Sequence, residues 1–438
     1  MHMRTGRFFN RNWVVLTIIF VVVGAGISSW AATLEFGMDS TGLQHGIDTG
    51  AKFIIYKDDT TIYCLNGSTG IELTSNADAA TVIQYAVDNL PISYEASSGT
   101  HHKGKIIIKH GWYSISQQIN ITEDNCIIEG EDAFQTQLMA ESGVKNILNI
   151  SEKGTGDGYI NGIVIRNLHL RVADGHTSNQ YIGVNAYKAY YLHCENLVFD
   201  NASRCINLTQ CISTVVHHII SENQNNTIYA TNCQRLKIID VNAETQHGAT
   251  LYDLVLYGGA YNIIDKITIY NSEGGGINIV SCPTEITNLF FRETGRIGLR
   301  MANNYNTMIS NCVIEDASDN AVNSYDAVVI TGATSKNITL SNINVYGDCR
   351  YGVYVNADVT KETIAMNNCI LNATTSGLYD SNNKIQQGSN IIDNIHVTCL
   401  STTNSTLSSD FNGETWFNTA TNVLYVYNGT AWVSTTLT

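Results

Sequence analysis

A short pattern of polar and apolar positions recurs along the chain from Asn125 onward. Each copy begins with a polar residue, usually Asn, followed by an apolar residue at the next position and an apolar or small residue two positions later. The copies begin at Asn125, Asn167, Asn196, His218, Asp240, Lys266, Asn288, Asn311, Asn342, Asn368 and Asn394. Because the apolar positions alternate with outward ones, each copy predicts a β-strand with one buried face.

The spacing of the copies indicates a stacked-repeat architecture. From Asn167 onward the steps are 29, 22, 22, 26, 22, 23, 31, 26 and 26 residues, by subtraction of the starting numbers. Such a period with variable insertions is typical of solenoids, and coils of parallel strands stack about 4.8 Å apart. The pattern therefore predicts an all-β chain whose main body is a parallel β-helix.

Counting the polar residue of each copy as position 0, the +1 and +3 columns are predicted to face the core. The position 0 column is predicted to form a ladder of Asn side chains at a turn, each amide bonding the next coil. The +2 column is predicted to face outward, yet it is unusually apolar: Val198, Ile220, Thr268, Phe290, Val313 and Ile370. An outward apolar stripe suggests cover by a loop or by another subunit, and a homotrimer is the candidate assembly.

Composition supports strands and restricts the class of partner. The chain has 35 Gly, only 2 Pro, 23 Tyr and 14% charged residues, which suits strands joined by tight turns. The formal charge of −15 argues against nucleic acid as a partner, since phosphate binding needs a basic surface. Cations and glycans remain as candidate ligands.

The N-terminal segment has the pattern of an export signal. Arg4, Arg7 and Arg11 precede an apolar run over residues 13–27, which small residues follow. This pattern predicts a signal peptide cleaved after Ala31, or alternatively an uncleaved N-terminal membrane anchor. Both place the body outside the cytoplasm, in the extracellular space or at a cell surface. Ten Asn-x-Ser/Thr sequons fit a secreted glycoprotein.

The cysteines do not resemble a metal site. There are 11, an odd number, with neither a CxxC pair nor a zinc-site spacing. Several occupy inward positions of the repeat, so buried free thiols are the preferred interpretation. One or two disulfides stay open as the alternative.

The first coils carry a family resemblance. The segments DAATVIQYAVDNL and GKIIIKHGWYSISQQINITEDNCIIEGE resemble the capping helix and opening coils of the pectin/pectate-lyase-like superfamily. The matching residues are Ala80, Ile83, Gln84, Ala86 and Val87 in the helix, and Gly104, Ile106, Gly111, Tyr113 and Ile115 in the first coil. The resemblance covers about residues 45–400. It implies a right-handed parallel β-helix of about 10–12 coils with a capping helix near 78–90.

The end of the chain differs in pattern from the repeats. The segment FNGETWFNTATNVLYVYNGTAWV resembles elements of phage tail fibres, which points to an adhesive or virion-associated context. The predicted organisation is a signal peptide or anchor (1–31), an N-terminal β region (32–75), the β-helix (76–400), a Ser/Thr-rich linker (401–410) and a small C-terminal β element (411–438).

The +4 column supplies candidate chemistry. Asp200, Glu222 and Glu244 follow one another there, and in a parallel stack they lie about 5 Å apart per coil. Three carboxylates at this spacing are candidates for catalysis or for holding a cation such as calcium, with His247 as a proton carrier. The alternative is that they are solvated turn residues that splay apart.

A second group contains candidate substrate-binding residues, namely Tyr270, Arg292, Glu315 and Asp316. Arg292 and Glu315 are also predicted to pair across neighbouring coils as a purely structural ion pair. Family resemblance supports no catalytic assignment, because the Asn-Thr-Asp and Gly-His-Gly motifs of polygalacturonases are missing.

Three functions fit these observations. The leading hypothesis is an exported surface or virion-associated β-helix that binds a polysaccharide or a cell-surface glycan. The alternatives are a polysaccharide lyase or glycoside hydrolase that uses the +4 column, and a structural fibre or sheath subunit. Fold alone does not discriminate among them.

Overall fold

The structure is a computed structural model of the 438-residue chain. It describes residues 50–90, 93–95, 100–102, 104–152, 158–172, 181–222, 224–244, 252–319, 321–359, 364–380, 384–388, 390–392, 395–397, 415–418, 423–427 and 432–436. The predicted signal peptide or anchor, the Ser/Thr-rich linker and His247 lie outside these residues. No helix in the described ranges is long and apolar enough to cross a membrane.

Short strands and one helix make up the described chain. Before the first long strand they are β1 (Phe53–Asp58), β2 (Thr61–Asn66), β3 (Glu72–Asn76), α1 (Ala79–Asp88), β4 (Ser93–Glu95), β5 (Thr100–His102), β6 (Gly104–Ile108), β7 (Gly111–Ile115), β8 (Ile119–Ile121), β9 (Cys126–Gly130), β10 (Thr136–Ala140), β11 (Asn146–Ile150) and β12 (Ile160–Asn161).

The central coils contain β13 (Val164–Val172), β14 (Ile182–Tyr187), β15 (Ala189–Tyr190), β16 (His193–Asp200), β17 (Arg204–Thr209), β18 (Val215–Glu222), β19 (Asn226–Thr231), β20 (Lys237–Glu244), β21 (Tyr252–Tyr257), β22 (Asn262–Ser272), β23 (Gly275–Val280), β24 (Thr284–Thr294), β25 (Leu299–Ala302), β26 (Tyr305–Glu315), β27 (Val328–Thr331), β28 (Lys336–Tyr346) and β29 (Tyr351–Val355).

The chain continues with β30 (Ile364–Asn367), β31 (Ile370–Leu371), β32 (Ser376–Asp380), β33 (Ile385–Gln387), β34 (Asn390–Ile392), β35 (Ile395–Val397), β36 (Thr415–Asn418), β37 (Val423–Tyr427) and β38 (Trp432–Thr436). The last three strands form an antiparallel sheet of their own, over the segment predicted as a small C-terminal β element.

Two long sheets form the body. Strands from β13 to β28 that begin a coil, such as β13, β16, β18 and β20, pair in parallel within a 20-stranded sheet. The strand that follows each of them pairs in parallel within an 11-stranded sheet that runs from β8 to β32. Each coil therefore contributes to both sheets in turn. This is the predicted right-handed parallel β-helix, and its register matches the predicted repeat from Asn167 to Asn368. The first and last copies differ from the prediction: Ile128 of the Asn125 copy pairs with Ile165, and the strand that follows Asn394 pairs antiparallel with β34.

The asparagine ladder is confirmed at a turn within the long strands. All ten motif-starting residues from Asn125 to Asn368 have a positive φ, between 50° and 60°. Asn tolerates this left-handed conformation better than most residues because its short side chain bonds locally. Along the ladder, Nδ2 of Asn342 donates to Oδ1 of Asn311 at 2.9 Å, and Nδ2 of Asn196 donates to Oδ1 of Asn167 at 2.9 Å.

The predicted inward columns form the core. From Cys126 to Cys369 every +1 residue is at most 2% exposed, and from Ile128 to Leu371 every +3 residue is at most 1% exposed. The ten cysteines within the described ranges are all free and buried, as the repeat predicted. Removing this apolar surface from water is the main favourable contribution to folding.

The helix closes the first coils. Its N-cap is Asp78, whose carboxylate accepts hydrogen bonds from the backbone N–H groups of Ala80 and Thr81. The buried face of α1 covers the open end of the core, while Gln84 bonds the backbone of Asn120 on β8. The hairpin before the helix is continuous with the solenoid, because β1 pairs in parallel with β6.

Candidate functional site

The +4 column lies on the outer face of the 20-stranded sheet, in the register that the sequence predicted. Asp200 is the Cα partner of Glu222, and Glu222 is the Cα partner of Glu244. We call these three residues the carboxylate column. It continues through Tyr270 and Arg292, so predicted catalytic and substrate-binding residues do lie on one stripe.

The three carboxylates have different neighbours, although the Tyr270 hydroxyl bonds Glu244, and its pKa is raised by burial, by that bond and by the charges of Glu244 and Glu222. Nε2 of His169 lies 2.9 Å from Oδ2 of Asp200, and Nε of Arg171 lies 4.0 Å from the same oxygen. Burial raises the pKa of Asp200, but the hydrogen bond from His169 and the charges of His169 and Arg171 outweigh it, so the net pKa is lowered. Glu244 instead accepts a hydrogen bond from Nδ2 of Asn271 at 3.2 Å.

The described residues contain no group of three or more His, Cys, Asp or Glu side chains that could hold a metal ion. Calcium binding by the carboxylate column therefore stays a prediction without a coordination geometry. The three side chains instead bond protein neighbours or face solvent, because each coil directs its own carboxylate outward from a separate strand.

The second predicted group does not form the ion pair that was expected between Arg292 and Glu315. Arg292 and Glu315 are Cα partners on neighbouring strands. The Nε atom of Arg292, however, lies 3.2 Å from Oε1 of the neighbouring Glu293, so the expected cross-coil ion pair is replaced by a pair along the strand. Asp316 occupies a left-handed turn position, with a φ of 50°, and its N–H donates to the carbonyl of Tyr346.

A cleft that the sequence did not reveal lies on the other sheet. It has a volume of about 470 Å³, within the range of small-ligand sites. Its walls come from five successive strands of the 11-stranded sheet, β17, β19, β21, β23 and β25, and the segments beside them. We call it the arginine–tyrosine cleft; it is lined by Ser203, Arg204, Asn225, Asn226, Tyr229, Tyr252, Val255, Tyr257, Asn278 and Arg300.

Arg204 marks one end of the arginine–tyrosine cleft. Its guanidinium carbon lies 3.8 Å from the ring centroid of Tyr229, which is cation–π contact, and its Nη1 donates to Oδ1 of Asn207 at 3.1 Å. The Tyr229 ring lies 5.8 Å from the ring of Tyr257 on the next strand. Stacking and hydrogen bonding therefore fix the position of this arginine, so little rotamer freedom is left to lose on binding.

Arg300 marks the other end. Its Nη1 donates to Oδ1 of Asn278 at 3.3 Å, and Nδ2 of Asn278 lies 3.5 Å from the hydroxyl of Tyr257. Four strand steps separate the strand of Arg204 from that of Arg300, which is about 19 Å at the usual spacing. The cleft thus presents two guanidinium groups with phenols and amides between them.

The electrostatics of the cleft are opposite to those of the chain. Among the described residues that line it, none is acidic, although the chain carries a net charge of −15. Burial raises the pKa of Tyr252, while Arg300 and Arg296 act in the lowering direction without cancelling the increase. The Tyr252 hydroxyl is therefore protonated at neutral pH and available as a hydrogen-bond donor.

A weak sequence signal for this face does exist. The outward column of the 11-stranded sheet follows the ladder residue of the same coil at a nearly constant interval. The intervals are 11, 11, 15, 12, 12, 18, 12 and 11 residues for Asn207, Tyr229, Val255, Asn278, Arg300, Val329, Tyr354 and Tyr379, by subtraction of Asn196, His218, Asp240, Lys266, Asn288, Asn311, Asn342 and Asn368. This column is hard to recognise in the sequence, because two coils contain insertions and its residues share no residue type.

Comparison with known proteins identifies the fold. A family model described as the right handed beta helix region matches residues 204–356. Among solved structures, the chain is similar to a mutant of DFA-IIIase from Arthrobacter chlorophenolicus A6 in complex with DFA-III. The TM-score is 0.52 at 11% identity, covering 71% of this chain and 81% of that one. The chain is a right-handed parallel β-helix protein.

A viral protein is also similar. ORF18 of Geobacillus virus E2 aligns with a TM-score of 0.49 at 14% identity, covering 82% of this chain and 73% of that chain. A search of the curated proteins finds no match. Similarity at these identities concerns the fold, so function has to be argued from the site.

Proposed function

We propose that this protein binds an acidic glycan in the arginine–tyrosine cleft, as an exported surface or virion-associated protein. The observation that carries the proposal is a cleft of about 470 Å³ with a positioned arginine at each end and no acidic residue among the described residues that line it. Arginine binds carboxylate and sulfate groups through paired N–H donors. Amides and phenols provide neutral hydrogen-bonding groups, and tyrosine rings provide apolar area for the carbon face of a sugar.

The net charge of the chain opposes an acidic ligand over most of the surface, so the attraction has to come from the cleft itself. A net charge of −15 repels a polyanion from most of the surface, whereas Arg204 and Arg300 attract it locally. Opposed potentials of this kind favour specificity more than raw affinity. The fold is also found in DFA-IIIase, one structure of which is in complex with DFA-III. Export rests on the N-terminal sequence pattern.

A second candidate function is catalysis on the carboxylate column, as a polysaccharide lyase or glycoside hydrolase. The observation in its favour is that Asp200 is kept ionised beside His169 and Arg171, on the same stripe as Glu222 and Glu244. The backbones of adjacent coils are about 4.8 Å apart, near the carboxyl separation used by retaining glycosidases. This candidate places the glycan on the opposite sheet from the arginine–tyrosine cleft, which makes the two functions separable by mutation.

The test uses protein purified from Thr33 onward and a panel of acidic and neutral polysaccharides, with binding measured by calorimetry. We expect Arg300→Ala to weaken binding of an acidic polysaccharide about 10- to 100-fold, which corresponds to losing a charge-assisted hydrogen bond of about 1.5–3 kcal/mol. The comparison variant is Arg292→Ala, on the outer face of the other sheet: it leaves affinity unchanged if the glycan binds in the cleft and weakens it if the glycan binds along the carboxylate column.

The same samples test the second candidate. Production of reducing ends or unsaturated products, lost in Glu222→Gln, would assign the glycan to the carboxylate column. If Arg300→Ala and the wild-type protein have equal affinity for every acidic polysaccharide that they bind, the arginine–tyrosine cleft is not the glycan-binding site.

A further inference from the structure

Beyond the cleft, the same outer face carries three tyrosines close together near its C-terminal end. The rings of Tyr354 and Tyr379 are stacked, with centroids 5.0 Å apart and planes within 8°. Tyr351 lies 5.8 Å from Tyr354 and 4.9 Å from Tyr379. We call these residues the tyrosine cluster. Tyr379 is 39% exposed, a large fraction for an aromatic side chain that already contacts two others.

An arginine is held over the tyrosine cluster. Nε and Nη2 of Arg350 donate to the two carboxylate oxygens of Asp326, at 2.9 and 2.8 Å. The guanidinium carbon lies 5.0 Å from the Tyr351 centroid and 5.6 Å from the Tyr354 centroid. The Asp326 side chain is only 5% exposed and is neutralised by this pair, so it adds no free negative charge to the surface.

This arrangement repeats the chemistry of the cleft. At both places an arginine lies over a tyrosine and a further tyrosine from a neighbouring strand packs against the first, as Arg204, Tyr229 and Tyr257 do. The fold does not require such a motif, since the equivalent outward positions nearer the N-terminus are Asn149 and Asn185. Two similar contact surfaces on one face suggest a ligand with a repeating structure.

The register places both surfaces on one straight column. The Cα partners in order are Asn207, Tyr229, Val255, Asn278, Arg300, Val329, Tyr354 and Tyr379. None of these residues is acidic. Tyr229 and Tyr379 are six strand steps apart, which is about 29 Å along the helix axis at the usual spacing.

We propose that the tyrosine cluster is a second contact site for the glycan of the cleft, and that the ligand is a linear polysaccharide lying along the helix axis across both. The inference rests on the proposed function, since it extends the same bound chain. A branched or terminal sugar epitope fills the cleft alone, whereas a linear polymer reaches the tyrosine cluster and gains a stacking contact there. Substrate class is thereby narrowed to unbranched acidic polymers.

The test is a length series. Oligo-uronates shorter than the span between the two sites, and others longer than it, are titrated into the wild-type protein by calorimetry. We expect the longer oligomers to bind about threefold to tenfold more tightly, the fold-change of one aromatic contact. Tyr379→Ala is expected to lose this gain and to bind the short oligomers unchanged, while Tyr379→Phe, which keeps the ring, retains most of it.

The matched control is Tyr346→Ala, which removes a tyrosine of similar exposure (38%) from the 20-stranded sheet and leaves the length dependence unchanged. Equal affinity for short and long oligomers, or equal weakening of both by Tyr379→Ala, overturns the second site but leaves the proposed cleft function intact. Failure of oligomers of every length to bind overturns both. Unchanged unfolding midpoints show that the variants are folded.

Discussion

The asparagine ladder allows a quantitative prediction at Asn311, a position exposed to solvent with a φ of 57°. Its side chain accepts from Nδ2 of Asn342 at 2.9 Å and donates to Oδ1 of Asn288 at 3.4 Å. Asn311→Gly removes both hydrogen bonds but suits the backbone, so we expect a loss of about 1 kcal/mol, about 0.5 kcal/mol for each exposed bond.

Asn311→Ala removes the same bonds, and alanine also lacks the local side-chain hydrogen bonding that makes the left-handed conformation tolerable for asparagine, which adds about 1 kcal/mol. The expected total is therefore about 2 kcal/mol for alanine and about half of that for glycine. The free energy of unfolding is measured by urea titration, comparing midpoints at constant slope.

The control for this pair is Asn344→Ala, at a half-buried outward position on a neighbouring strand of the same sheet, for which a change within about 0.5 kcal/mol is expected. Finding that Asn311→Ala is no more destabilising than Asn344→Ala would refute the energetic role of the ladder. Finding glycine as destabilising as alanine would refute the conformational part of the argument alone.

Three other predictions concern the core, the pH response and the thiols. Phe291→Ala should cost about 3–5 kcal/mol in unfolding titrations because the ring is fully buried, whereas Phe290→Ala, which is 38% exposed and points outward, should cost about 1 kcal/mol or less. Burial raises the pKa of Asp200, but the hydrogen bond from His169 together with the charges of His169 and Arg171 outweighs it, so the pKa is lowered in the folded protein. The contribution of Asp200 to stability is therefore present above the unfolded-state pKa of about 4 and lost as pH falls further, so the stability gap between wild type and Asp200→Asn should narrow on acidification. Burial raises the pKa of Cys126 to about 12, so a thiol reagent at pH 8 should label it only after unfolding.

Much of the fold was predictable because the repeat couples residue type to backbone position. Asn recurs where the turn needs a positive φ, and apolar residues recur at the positions that point inward, so the ladder, the core columns and the register of the +4 column followed from spacing alone. The resemblance at residues 78–115 added handedness and the capping helix, which spans Ala79–Asp88.

The arginine–tyrosine cleft could not be found in the same way. Its residues lie outside the recurring motif, on strands whose distance from the ladder varies with insertions, and each strand contributes a different residue type. Tyr229 and Arg300 become neighbours of one cleft only when the coils are stacked. Three successive acids at one repeat position are visible in a linear sequence and predict the carboxylate column, whereas an arginine stacked over a tyrosine leaves no such signal.

One measurement tests the central claim most directly: the affinity of the protein for a linear polyuronate and for the same polymer after reduction of its carboxyl groups, each with wild type and Arg204→Ala/Arg300→Ala. If the cleft binds an acidic glycan, the wild type prefers the native polymer, this preference weakens with added salt, and the double variant loses it. Equal affinity of the wild-type protein for both polymers, or a preference that survives in the double variant, would contradict the account.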